Sequence, residues 1–126
     1  MTWYAAHIIV SDRPINSDYE GDISLYENVV LISAKDDDEA NFKAQQYGEN
    51  SIVQDDTLTT MEGVHLKTAF VGVRKIIEIQ NPPSLNSAET VPVDGTEITY
   101  SKFAVKDPEA LAKLVNGEEV LISYIE

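Results

Sequence analysis

The stretch from Val64 to Ile79, VHLKTAFVGVRKIIEI, constrains the fold more than any other part of the chain. It is rich in β-branched residues and alternates with the period of a strand. The alternation changes sides in the middle. Val64, Leu66 and Phe70 fall on one face and Val71, Val73, Ile77 and Ile79 on the other, so a bulge or sharp bend is expected at Gly72. A strand this long and apolar is expected at the centre of a sheet.

Its partners are read from the rest of the chain. Thr2 to Val10, TWYAAHIIV, is a strand signal stopped by Ser11-Asp12-Arg13-Pro14. Turn formers from Ile15 to Asp22 then lead into a second strand, Ile23 to Ala34, so the two form a hairpin. Asp36 followed three residues later by Glu39 starts a helix, with Asp37 and Asp38 where its dipole favours anions. Ala40, Ala44 and Tyr47 share its inner face, and Gly48 is placed to end it as a left-handed residue. Phe42 lies about 200° around the helix from Ala40 and is a candidate interface residue.

Residues 49–63 are polar, with one short strand expected at Thr57 to Met61. Pro82 and Pro83 make Gln80 to Pro92 a loop. Asp94-Gly95 signals a turn before a strand from Glu97 to Val105. Asp107 as N-cap and Pro108 at the first helical position begin a second helix that Gly117 can end, and Val120 to Ile125 closes the chain as a strand. The order ββα(β)ββαβ predicts an α+β fold. Its mainly antiparallel sheet carries two helices on one face, a ferredoxin-like sandwich, in a single domain over residues 1–126. With 43% hydrophobic residues, such a domain can build a core without disulfides or metal.

Composition narrows the function classes. A net charge of −13 disfavours phosphate backbones, whose binding draws on Lys and Arg displacing counterions, so no nucleic-acid partner is expected. Residues 64–79 are the one basic stretch, through Lys67, Arg74 and Lys75; the acidic stretch 35–63 could meet a basic protein partner. The absence of cysteine removes thiolate metal sites and cysteine nucleophiles, and fits a reducing compartment. No apolar run reaches the roughly 18 to 20 residues of a bilayer span, and Met1-Thr2-Trp3-Tyr4 lacks the regions of a signal peptide. A cytoplasmic protein without membrane contact is expected.

Candidate chemistry is sparse. Asn16, Asp18, Glu20, Asp22 and Glu27, with Gly21 between, have the spacing of a calcium loop of the EF-hand kind. The flanks read as strands where that loop has helices, and an acidic hairpin turn accounts for the same residues. His7 and His65 lack carboxylates at ligand spacing, and no nucleophile elbow, Walker or dinucleotide pattern occurs. No catalytic residue, metal or cofactor is therefore assigned. Glu27, entering an apolar strand beside Asn28, must find hydrogen-bond donors or raise its pKa, and Arg74 or Lys75 is its expected partner. If a pocket exists, Trp3, His7, Glu27, Asn28 and Tyr100 are the residues expected to line it.

The order of short motifs carries a resemblance. Trp3-Tyr4-Ala5-Ala6, Glu27-Asn28-Val29-Val30-Leu31-Ile32, Glu39-Ala40 with Lys43-Ala44 and Gly48, Phe70-Val71-Gly72-Val73 and Asp94-Gly95-Thr96-Glu97 follow one another as in the bacterial family described as domain of unknown function 4288. The chain resembles that family from residue 2 to about residue 105. The resemblance implies a small standalone bacterial domain and brings no activity, substrate or catalytic set with it. Trp3, Glu27, Asn28 and Gly72 are the positions it singles out, and it leaves the turn Asn16 to Asp22 as this chain's own elaboration.

Two functions are consistent with these features. One is a non-catalytic binding or assembly module, a homodimer joined through a sheet face or edge. The other is a small-molecule sensor or enzyme with a pocket near Glu27 and His7.

Overall fold

In a computed structural model of the protein, residues 1–14, 21–51, 66–81 and 91–125 are described. Three strands, β1 (Thr2–Pro14), β2 (Ser24–Ala34) and β3 (Leu66–Glu78), form an antiparallel sheet in the order β2-β1-β3, with helix α1 (Asp37–Ser51) between β2 and β3 in the chain. The fold is α+β, as the sequence predicts.

The central strand is β1, not the Val64 to Ile79 stretch. Ser11-Asp12-Arg13 does not stop it, because each residue through Pro14 still has partners on β3. Tyr4, Ala6, Ile8 and Val10 face α1 and are buried with Ile32, Ala34, Ala40 and Ala44. On the other face Ala5, His7 and Ser11 are buried too. Small residues on β1 and α1 let the helix lie close, whereas Lys67, Arg74 and Lys75 suit an edge strand where long charged side chains reach water.

The face switch in β3 is real and double. His7 pairs with Lys75 but Ile8 with Val73, and Ile9 pairs with Gly72 but Val10 with Phe70. Arg74 and Val71 are thus extra residues, one on each side of Gly72. Each bulge resets the alternation, so Phe70, Val73 and Ile76 all pack on the α1 side despite their spacing of three.

Asp36 caps α1 by accepting from the Glu39 amide at 2.8 Å. The helix does not end at Gly48 but runs on to Ser51, and Gly48 has no left-handed φ. Its missing Cβ serves packing instead, since a methyl group there would overlap the Phe70 ring.

The expected strand Glu97 to Val105 is reduced to one bridge, Gln80 with Glu97, and to β4 (Phe103–Ala104), which pairs with β5 (Ser123–Tyr124). Between them α2 (Pro108–Val115) is capped by Asp107, which accepts from the Ala110 amide at 2.8 Å, and is followed by Gly117 at φ +77°. Helix α2 packs on neither β1, β2 nor β3. The two helices therefore do not share one face, and the ferredoxin-like sandwich is not formed among the described residues. The expected strand at Thr57 to Met61 lies outside those residues.

Candidate functional site

The face of the sheet away from α1 carries a charged cluster built around the buried His7. His7 pairs with Val29, and Glu27 lies two residues along β2 on the same face, a diagonal neighbour. Arg74, the residue extruded by one bulge, reaches back across β1. It donates to the Glu27 carboxylate twice, Nε to Oε2 and Nη2 to Oε1, each at 2.8 Å. Oε1 also pairs with His7 Nδ1, and the other ring nitrogen, Nε2, lies 2.6 Å from Thr99 Oγ1.

The Arg74 hydrogen bonds hold the Glu27 carboxyl at about 2, below its ordinary 4.5, with the His7 contact adding to them and burial opposing. Glu27 is therefore an anion at neutral pH. An anion at Nδ1 places a proton on that nitrogen, and in the neutral ring Nε2 then accepts from the Thr99 hydroxyl. His7 is 2% exposed and no buried side-chain nitrogen or oxygen among the described residues lacks a partner.

The same contacts fasten the carboxy-terminal segment to the sheet. The Tyr124 ring centroid lies 5.2 Å from Arg74 Cζ, and Phe103 meets Tyr124 edge-on at 5.9 Å. Lys75 Nζ donates to the Tyr100 carbonyl at 2.5 Å and lies 5.4 Å from that ring's centroid.

Of the five residues expected around a pocket, the fold joins His7 to Glu27. Tyr100 is adjacent through its backbone. Trp3 shares the His7 face but stands four residues away along β1, half-buried, its carbonyl accepting from the Ile79 amide at 3.1 Å. Asn28 is opposite Ile8 and so projects on the α1 side. Arg74, one of the two partners weighed for Glu27, is the one that binds it. Thr99 and Tyr124 carried no signal in the sequence, because only the tertiary path of the carboxy-terminal segment brings them to β1 and β3.

Asn16, Asp18 and Glu20 of the calcium-loop pattern lie outside the described residues, as does His65. Glu27, its terminal position, commits its carboxylate to Arg74 and His7. Among the described residues no three His, Asp or Glu side chains cluster as metal ligands would. No helix among them is long and apolar enough to cross a membrane.

Phe42 is 61% exposed on α1. Strand β2 exposes more apolar surface, through Leu25, Tyr26, Val29 and Leu31. A groove between α2 and the approach to β5, lined by Ala110, Lys113 and Leu121, does not include the His7 cluster.

A family model described as Domain of unknown function (DUF4288) matches residues 3–99. The match takes in the three-stranded sheet, α1 and Thr99, and ends before β4. No curated protein and no solved structure matches the chain.

Proposed function

The chain belongs to the DUF4288 family, and on that premise we propose that it is a non-catalytic binding module of the bacterial cytoplasm that assembles with a second copy of itself. The outer edge of β2 carries this reading. Among the described residues no strand pairs with that edge, and its eleven residues contain no proline, lysine or bulge. Leu25 and Tyr26 remain 57% and 56% exposed. The opposite edge, β3, is defended by two bulges and by Lys67 and Lys75. Edges left without such devices are templates for pairing.

The polar cluster supports the same reading, because its chemistry is taken up inside the chain. Glu27 is neutralised by Arg74, His7 is closed by Thr99, and Tyr124 stacks on the guanidinium. The acidic stretch 35–63 leaves room for a basic protein partner as well. Light scattering over a concentration series tests self-assembly: the mass should rise from one chain to two, and a mass fixed at one chain would dispose of it.

A second reading, a small-molecule sensor or an enzyme at His7 and Glu27, rests on the 2.6 Å contact from Thr99 Oγ1 to His7 Nε2. Hydroxyl, ring and carboxylate then follow the order of nucleophile, base and orienting group. An acyl adduct on Thr99 after exposure to an activated ester, lost in His7→Gln, would favour it.

A further inference from the structure

We propose that two copies join β2 to β2 antiparallel about Asn28, giving a continuous six-stranded sheet; this rests on the self-assembly reading above and names its geometry. An interface on a two-fold axis must be complementary to itself. The strand Leu25-Tyr26-Glu27-Asn28-Val29-Val30-Leu31 has that property about its middle residue. In this register Leu25 faces the partner's Leu31, and Tyr26 faces the partner's Val30. Asn28 faces the partner's Asn28.

The faces agree as well. Odd-numbered residues of β2 lie on the His7 side and even-numbered ones on the α1 side, because Val30, Ile32 and Ala34 pack with α1 while Glu27 meets His7. Opposed residues of an antiparallel pair point the same way. Leu25, Val29 and Leu31 of both copies therefore lie together on the His7 side, where each Glu27, held by its own Arg74, stands opposite the partner's Val29. The two α1 helices lie together on the other side, each packed over β3, β2 and β1 of its own copy.

Charge selects a second copy over a basic peptide as the occupant. The chain carries −13, yet the one charged residue of β2 is Glu27, whose carboxylate is already matched by Arg74. Pairing β2 with itself thus brings no unbalanced charge across the new ladder, and a basic peptide would find no acidic side chain left over on the strand.

The full chain has no cysteine, so a single Asn28→Cys change reports the axis directly. Directly opposed residues have Cα atoms about 4.5 to 5.5 Å apart, within disulfide reach. Under mild oxidation Asn28→Cys should convert more than half of the protein to a covalent dimer, whereas Phe42→Cys, on α1, should not. Leu31→Lys, checked for native circular dichroism, should weaken dimerisation at least tenfold. A wild-type dimer whose Asn28→Cys form does not cross-link, or which Leu31→Lys leaves intact, overturns this geometry and leaves self-assembly standing. A wild-type protein that stays monomeric at every concentration overturns both.

Discussion

Glu27 and Arg74 lie on the two edge strands of the sheet and meet across β1 through two hydrogen bonds of 2.8 Å. The bulge at Arg74 makes this possible, because an extra residue there lets the guanidinium swing over the central strand instead of following its neighbours. His7 beneath the pair and Tyr124 above it turn one ion pair into a clasp between the sheet and the carboxy-terminal segment.

The clasp gives stability a pH dependence of known sign. Glu27 has its folded pKa depressed to about 2 from 4.5, so its contribution is complete above about 4.5 and is lost as the pH falls towards 2. With the side chain 30% exposed, solvent screening reduces the contribution to about 1–2 kcal/mol. Glu27→Gln should be less stable than wild type by that amount at pH 7. The difference should vanish in urea titrations near pH 2, and a gap that persists there would contradict this role.

Thr99 closes the other end. Thr99→Val leaves the buried His7 Nε2 without its partner and should cost about 1–3 kcal/mol, while Thr99→Ser should cost far less. Amide exchange should quicken in residues 97–102 of the Val variant with little change in β1. Equal loss in both variants would assign the effect to packing.

Gly48 sets how close α1 comes to β3. Ala normally favours a helix by about 1 kcal/mol over Gly. Gly48→Ala should nevertheless destabilise by about 1–3 kcal/mol, because its methyl group meets the Phe70 ring. Phe70→Leu should recover part of the loss in a double-mutant cycle.

How much of this was legible in the sequence follows from how local each signal is. Asp36 and Asp107 announced their helices because a cap is decided within three residues. The alternation failing at Gly72 announced a bulge, but periodicity alone could not tell one break from two. Gly48 was misread as a helix end because a glycine kept for a close approach looks the same as one kept for a left-handed turn. The apolar stretch Val64 to Ile79 runs longer than Thr2 to Val10 and so points to the wrong strand as the centre, because burial on both faces depends on what each strand is paired with. Glu27 with Arg74 was readable as charge matching; Thr99, 92 residues from His7, was not.

The assembling edge is tested most directly by amide hydrogen exchange across Ser24–Ala34 as the protein is diluted. Pairing through β2 predicts that its outward-facing amides are protected at high concentration and lose that protection on dilution, while β1 amides stay protected throughout. Protection of β2 that does not change with concentration, at concentrations where two chains are shown to associate, would contradict it.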